Sequence, residues 1–355
     1  MPDDRKVVDV DRRTPAGLHP VPFAMKLSSP RARPRRILLL GATGTIGRAV
    51  LAELSRRDQE VICALRPGRA QAVVLPPGAV GREAELADPQ ALARDVLRGE
   101  RIDAVVSCLA SRTGAPQDAW AIDHRVHQQA LASGRAAGAT RFVQLSAICV
   151  QKPRLAFQHA KLAFEGELQA SDLAWTIVRP TAYFKSLSGQ IERVKRGRPF
   201  LVFGDGQLTA CKPIADEDLA LYLADCLDDP ATERRVLPIG GPGAAITPVE
   251  QARMLFERLG RPLHVRRVPV GLISGIAGVA ALCARLAPLE AVRARAEFAR
   301  IGQYYATESM LVWDPVAGRY DAEATPSFGT RTLDAHYAAV LCGERTADLG
   351  EHAVF

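Results

Sequence analysis

The stretch Arg36-Ile-Leu-Leu-Leu-Gly-Ala-Thr-Gly-Thr-Ile-Gly47 constrains the chain more than any other. Ile37 to Leu40 form a short, unbroken apolar run, the pattern of a parallel strand covered on both faces. Gly41, Ala42, Thr43 and Gly44 then predict a tight turn. Thr45 to about Arg57 predict a helix with Ile46, Val50 and Leu54 on one face. A helix begun this way offers free N–H groups and the positive end of its dipole, which suits the diphosphate of a dinucleotide. Gly44 lets the backbone approach phosphates without a Cβ, and Gly47 lets helix and strand pack closely. The spacing is G-x-x-G-x-x-G rather than G-x-G-x-x-G, so the strand–turn–helix context carries the reading. Gly41, Thr43, Gly44, Thr45, Ile46 and Gly47 are the expected cofactor contacts.

The alternation continues to residue 180. Glu60 to Leu65 read as a second strand, Gly81 to Leu86 as a short third, Asp103 to Leu109 as a fourth, Arg141 to Ser146 as a fifth and Trp175 to Pro180 as a sixth. Between them Asp88 and Pro89 open a helix, Gln117 to Ala137 form a long one, and another runs to about Ala170. This predicts an α/β doubly wound parallel sheet, a Rossmann fold, with ligands at the carboxyl ends of the strands. The expected organisation is a tail over residues 1–35, a dinucleotide-binding domain over 36–180, and a smaller substrate lobe over 181–355 with elements returning to the sheet.

The second strand ends in Arg66-Pro-Gly-Arg69, with no acid beside Arg66. An acid at that tip accepts from the ribose 2′-hydroxyl of NAD, whereas an arginine suits the 2′-phosphate of NADP. The cofactor is therefore read as NADPH, with Arg66 the first contact and Arg69 a second. Cys108, Leu109 and Ser146, at the ends of the fourth and fifth strands, are expected beside the ribose and nicotinamide. Beyond 180, Phe200 to Gly206 and Leu208 to Ile214 read as a strand pair around a glycine turn. Asp216 to Leu227 read as a helix, Arg235 to Ile239 as a strand, and Thr247 caps a helix with Pro248 at its first position. Val268 to about Leu289 is apolar and glycine-bearing, too interrupted to span a bilayer. It is either a buried lobe helix or a surface for an apolar substrate or a membrane.

Composition narrows the class. At 355 residues and 48% apolar, the chain has ample material for a core. A net charge of +7 admits nucleic acid, an anionic surface or an acidic ligand. No basic stripe interleaved with aromatics and no zinc-finger or helix-turn-helix spacing is present, which argues against nucleic acid. Cys63, Cys108, Cys149, Cys211, Cys226, Cys283 and Cys342 are scattered and odd in number, without a C-x-x-C pair. That predicts a reducing compartment and no metal or iron–sulfur centre. His124 and His127 share a helix side but lack a third ligand, and read as partly exposed helix histidines. The N-terminal residues lack an apolar core for a secretory signal, so the expected location is cytoplasmic, at most peripheral to a membrane. Oligomeric state is left open.

Short-chain dehydrogenases place a Tyr four residues before a Lys on one helix, with a Ser or Thr at the end of the fifth strand. Ser146 and Lys161 fit, but Phe157 stands where the Tyr would be and cannot protonate an alkoxide. The chain thus resembles the atypical short-chain dehydrogenases of isoflavone-reductase-like and NmrA-like fold. Within them, Ser146–Pro153, Phe157–Glu165, Arg179–Gln190, Val202–Gly206, Ala210–Ile214 and Tyr304–Met310 resemble the NADPH-dependent, ferredoxin-independent divinyl (proto)chlorophyllide 8-vinyl reductases. The resemblance covers residue 35 to the C-terminus. It implies reduction of the 8-vinyl group of a tetrapyrrole to ethyl, in chlorophyll or bacteriochlorophyll synthesis. No alkoxide forms in that reaction, so the missing Tyr is consistent with it.

On this resemblance Lys161 binds the cofactor ribose or steers protons, and Lys161, Tyr183, Lys185 and water are the proton-donor candidates. Phe157, Phe164, Tyr183, Phe184 and residues 268–289 are expected as apolar walls, with Lys185, Lys212 or Arg179 meeting the propionate. The alternatives are a non-catalytic NADP-sensing regulator, a scaffold or assembly subunit of the same fold, and an isoflavone-reductase-like enzyme acting on small phenolics.

Overall fold

The computed structural model describes residues 34–286 and 289–345, so the expected N-terminal tail lies almost wholly outside the described residues. The chain enters β1 (Arg36–Leu40), turns at the glycines into α1 (Thr45–Arg56), and returns as β2 (Glu60–Leu65) and β3 (Ala79–Glu83). A π-helical stretch over Leu92–Leu97 leads to β4 (Ala104–Ser107). Next come α2 (Pro116–Ala119), a π-helical segment Trp120–Val126, and α3 (His127–Ala136). β5 (Arg141–Leu145), a 3-10 turn at Ile148–Gln151, α4 (Ala156–Ala170) and β6 (Ala174–Pro180) complete the first half.

The second half begins with a 3-10 turn at Phe184–Leu187 and α5 (Ile191–Lys195), then β7 (Phe200–Phe203), α6 (Asp216–Asp228) and β8 (Arg235–Ile239). It continues through α7 (Pro248–Arg258), β9 (Val265–Val268), α8 (Val270–Leu286) and α9 (Glu290–Thr307). A short hairpin, β10 (Val312–Asp314) and β11 (Arg319–Asp321), precedes α10 (Leu333–Leu341).

The main sheet has seven strands in the order β3-β2-β1-β4-β5-β6-β8, parallel throughout. Each central strand alternates its side chains between two apolar layers. Ile37, Leu39, Val106, Val143 and Val178 pack with Val50 and Leu54 of α1 and Leu219 and Leu223 of α6. Leu38, Leu40, Val105, Phe142 and Ile177 pack with Leu92, Val126, Phe164 and Leu168 on the other face. α1 and α6 are also tied at their exposed rim, where Arg57 binds Glu53 (2.7 Å), Asp225 (2.6 Å) and Asp228 (3.3 Å). The doubly wound sheet read from the sequence is therefore what forms, and β8 returns to it from the second half.

A separate core joins α5, α7, α10 and β7 through Phe184, Ile191, Phe200, Leu255, Phe256 and Tyr337. A fourth cluster lies under α9, where Ile301 and Tyr304 pack on Ile148, Cys149 and Leu155. Among the described residues no helix is long and apolar enough to cross a membrane.

Four expectations need correction. The third strand is Ala79–Glu83, two residues before the predicted start, because this edge strand is largely exposed and carries no apolar run to mark it. The expected hairpin around Gly206 does not form. The turn exists, with Gly206 at φ +80° and its N–H on Phe203 O at 3.0 Å. But β7 pairs in parallel with β9, and Cys211 bridges instead to Ile246 and Met310. Third, His127 is wholly buried rather than partly exposed. The π-helical segment before it changes the residue offset per turn, so His124 and His127 no longer share a face. His124 binds Glu167 (2.8 Å), and His127 turns inward to Ser107 (2.8 Å). Fourth, Phe164 and Phe184 are core residues, Phe164 behind the sheet and Phe184 inside the lobe, so neither forms a wall of the cleft.

Candidate functional site

All seven strands point the same way, so the ends of β1, β4, β5 and β6 line one edge, and the strand order reverses between β1 and β4. That switch point is where a doubly wound sheet opens a crevice. The glycine turn sits there. Gly41 adopts φ +82°, and a Cβ on it would lie 2.7 Å from the Cys108 carbonyl and 2.8 Å from Leu109 N. The turn closes through Gly44 N–H to Gly41 O (3.0 Å) and Arg48 N–H to Gly44 O (2.9 Å). α1 starts at Gly44 with no side-chain cap and no acid in its first turn. Its leading N–H groups are thus left for an external anion, which is the fit a dinucleotide diphosphate requires.

Lys185 reaches this turn from the loop after β6, its Nζ donating to Thr45 Oγ1 at 2.8 Å. An expected proton donor is therefore placed beside the anion cradle. Asp216, at the start of α6, stands close enough to feel the charges of Lys185, Glu217, Arg345 and Arg48. Its Oδ1 is buried and accepts no hydrogen bond among the described residues. Burial raises its pKa to about 6, against the opposing pull of Lys185. The sign follows. The folded state holds this proton above the unfolded carboxylate range, so stability falls as pH rises from about 4 to about 6. Asp216→Asn is expected to unfold at higher denaturant concentration than the parent at pH 7.5, and to lose that advantage at pH 4. Urea melts across that range would show no crossover if the carboxylate were well solvated.

The second strand's tip is held as a turn. Arg66 and Arg69 are exposed, Arg69 N–H donates to Arg66 O (3.1 Å), and Glu83 Oε1 accepts from Ala70 N–H (2.9 Å). The neighbouring backbone N–H groups lower the Glu83 pKa, so this acid is engaged by the turn itself.

On the far side of the crevice, Lys161 of α4 is buried and its Nζ lies 2.9 Å from Asp123 Oδ1, with Asp123 fully inaccessible. Asp123 also receives the Ser111 N–H at 3.3 Å. Beside this pair, burial first and the Lys161 charge second lower the His127 pKa to about 4. A neutral ring fits its contacts, Nδ1 donating to Ile122 O (2.8 Å) and Nε2 accepting from the Ser107 hydroxyl. Ser146 donates its hydroxyl to Glu165 (2.5 Å), whose carboxylate is held by Arg179. Ser146 and Arg179 are thus tied to one buried acid, which takes Arg179 away from a role in meeting the substrate propionate.

Tyr183 follows β6 and bridges Ile214. It packs beside Cys108 over the first core layer. Burial, with Asp216 and then Cys108 and Cys149 nearby, raises its pKa well above the ordinary phenol value. Tyr305 of α9 faces the same space, its hydroxyl 3.9 Å from Cys149 Sγ, and burial raises its pKa likewise. Phe157 joins the cluster of Ile148, Leu155 and Ile301. Gly114, at φ +66°, leaves room for Ile301 and Phe157, whose atoms would lie 2.9 and 3.5 Å from a Cβ. Lys212 is not among these groups: its ammonium donates to Thr325 O (2.9 Å) and Ser327 Oγ (3.4 Å), tying two backbone segments together.

The crevice therefore joins the glycine turn, Lys185, Tyr183, Cys108 and Leu109, with the Lys161–Asp123 pair set beside it. Asp123 and Tyr305 carry no motif of their own, though Tyr305 stands inside the quoted Tyr304–Met310 segment. No group of three metal-ligating side chains occurs among the described residues.

A family model described as NAD(P)H-binding matches residues 41–230. The chloroplastic divinyl chlorophyllide a 8-vinyl-reductase of Oryza sativa subsp. indica is 46% identical over 334 residues, spanning 90% of this chain and 82% of its own length. The protein of that name from Arabidopsis thaliana is 44% identical over 331 residues, spanning 89% and 79%. Among solved structures, an NADPH-dependent quinone oxidoreductase of Escherichia coli in complex with NADPH matches with a TM-score of 0.62 at 18% identity, covering 86% of this chain and 99% of that one. At that identity the likeness is one of fold.

Proposed function

The chain belongs to the divinyl chlorophyllide a 8-vinyl-reductase family, and we infer that the crevice at the β1–β4 switch point is where it performs that reaction. It is an oxidoreductase that reduces the 8-vinyl group of a divinyl chlorophyllide to ethyl with NADPH, in chlorophyll biosynthesis. The observation that carries the placement is the uncapped start of α1 behind the Gly41–Gly47 turn.

NADPH, when bound there, would supply hydride for the terminal vinyl carbon, and the conjugated macrocycle would spread the resulting charge. The turn and Lys185 would hold the diphosphate, so Lys185 would serve as an anchor. Lys161, kept in one orientation by Asp123, positions the ribose. The roles divide along the chain, with residues 36–180 supplying most of the cofactor site, Lys185 reaching back to it, and the remaining described residues beyond 180 closing over the substrate.

Tyr183 gives the proton to the inner vinyl carbon. Its raised pKa keeps the hydroxyl protonated throughout the working range, and the carbanionic partner is basic enough to take that proton. Tyr183→Phe is expected to lower kcat by about 100-fold or more with little change in NADPH affinity. Equal turnover in the variant, in a single-turnover assay, would assign the proton to another donor, one of the two lysines or water.

Arg66 reads the 2′-phosphate. Its replacement by alanine removes one charge-assisted hydrogen bond, so KM for NADPH should rise about 10- to 100-fold while KM for NADH stays put. Parallel rises for both cofactors would mean that the arginine supports the turn rather than reading the phosphate.

The deciding experiment uses purified protein, NADPH and divinyl chlorophyllide a, without ferredoxin. A blue-shifted Soret band and a mass gain of two hydrogens are expected. Tight NADPH binding with no pigment change would instead favour a cofactor-sensing regulator or an assembly subunit. Peripheral contact with a membrane belongs to this reading as well, and the surface that would make it is identifiable.

A further inference from the structure

The α8–α9 hairpin has two unlike sides. Its inner side covers the crevice: Ile301 and Tyr304 are buried on Cys149 and Leu155, Tyr305 reaches Cys149, and Gln303 Nε2 donates to Ser274 Oγ (3.0 Å) to hold the two helices together. Its outer side is apolar and open. Leu272, Ile276, Val279, Leu282 and Leu286 recur three or four residues apart on α8 and are 54–78% exposed. Leu289 and, on α9, Phe298 extend the patch. Gly271, Gly275 and Gly278 of α8 would meet nothing within 4 Å if given a Cβ, so nothing described covers this side. Only Ala277 of α8 is buried among the residues whose burial is described.

The charge around the patch selects its occupant. From Arg258 to Leu289 the sequence has arginines at 258, 261, 266, 267 and 285 and no Asp or Glu. Arg266 and Arg267 on β9 and Arg285 near the end of α8 are exposed, and they make no ion pair among the described residues. Arg293 on α9 is exposed too. A two-fold contact between copies would bring these like charges together across the interface. An anionic bilayer satisfies both features, burying the leucines and isoleucine at the acyl boundary and meeting the arginines with headgroup charge.

We propose that the α8–α9 hairpin is a membrane-docking element that seats Leu272, Ile276, Val279, Leu282 and Leu286 in an anionic lipid surface, with its other side roofing the crevice. The element spans nothing; it lies in the interface. The docking proposal rests on the reading above only in its consequence, that an apolar macrocycle passes between bilayer and crevice beneath one hairpin without crossing bulk water.

The test needs no pigment, so its failure is separable from failure of the reductase assignment. Full-length protein is floated with vesicles of phosphatidylcholine, with or without about one-third phosphatidylglycerol, at low and high salt. The expected result is flotation with the anionic vesicles, weakened by salt. Ile276→Asp with Val279→Asp should reduce partitioning at least about tenfold. Arg266→Gln, Arg267→Gln and Arg285→Gln together should reduce it roughly 100-fold, near fivefold per arginine. NADPH affinity and melting temperature, unchanged in both variants, would show that the fold is intact. Parent protein that stays unbound on anionic vesicles would overturn the proposal, as would an aspartate variant that floats like the parent. A parent dimer that the aspartate pair converts to monomer, without vesicle binding, would assign the face to a second copy.

Discussion

Gly47→Ala is expected to abolish NADPH binding and to lower the melting temperature by several degrees. The Cβ it adds would lie 2.0 Å from Gly41 O, 2.7 Å from Gly41 C and 3.0 Å from Ala42 Cα. All three are backbone atoms of the turn itself, so no side-chain rotation relieves the clash. α1 would have to move off β1, and with it Ile46, Val50, Leu51 and Leu54, which the helix buries. Overpacking of this kind costs about 1–3 kcal/mol or more, and each kcal/mol is worth about 2–4 °C in a protein of moderate size.

Gly44→Ala separates binding from stability. Its Cβ meets only Gly41 O at 3.4 Å, and its φ of −76° suits alanine, so the fold should hold. The new methyl would stand where the phosphates approach the helix, and NADPH affinity should fall by about 100-fold with the melting temperature nearly unchanged. Gly275→Ala is the control: its Cβ meets nothing, and a helix-interior alanine there should add about 0.5–1 kcal/mol. Isothermal titration and thermal melts of the three variants decide the matter. Full affinity in Gly44→Ala would place the diphosphate elsewhere.

The contrast between these glycines explains what was legible in the sequence. The strands of the central sheet are buried on both faces and so read as apolar runs; β2 and β8 match their predicted bounds residue for residue. The turn between β1 and α1 was legible because its steric demand is local. What was not legible depends on contacts between distant parts of the chain. The partner of β7 is β9, which lies beyond two helices and a strand, while the nearby glycine turn suggested a hairpin. Lys185 meets Thr45 across 140 residues, so its place at the anion cradle has no sequence signature. Position 161 could be matched to a family pattern, but its partner Asp123 sits on another helix, in a π-helical segment that helical periodicity does not anticipate. The chemical types of Lys212 and Phe184 suggest ligand contacts, but the fold uses one as a backbone tie and the other as core.

That buried pair supports the second large effect. Lys161→Met is expected to destabilise the protein by about 3–5 kcal/mol, because it leaves the Asp123 carboxylate inaccessible to water, with the Ser111 N–H as its remaining donor among the described residues and its counter-charge removed. Asp123→Asn should be comparably costly, leaving an ammonium without its counter-charge. The double variant removes both charges and should recover most of the loss, so the coupling energy from the four proteins is expected to be large. His127 reports the same pair by its titration. Lys161 lowers its pKa and Asp123 raises it, so the ring should titrate above about 4 in Lys161→Met and below it in Asp123→Asn, as followed by NMR. Turnover then separates structure from catalysis. If Lys161 positions the cofactor ribose, the double variant will be stable yet slow, with a raised KM for NADPH. If it regains both stability and parental kcat, the lysine is only the counter-ion of Asp123, and the ribose contact must be sought among Cys108, Leu109 and the Thr43–Ile46 turn.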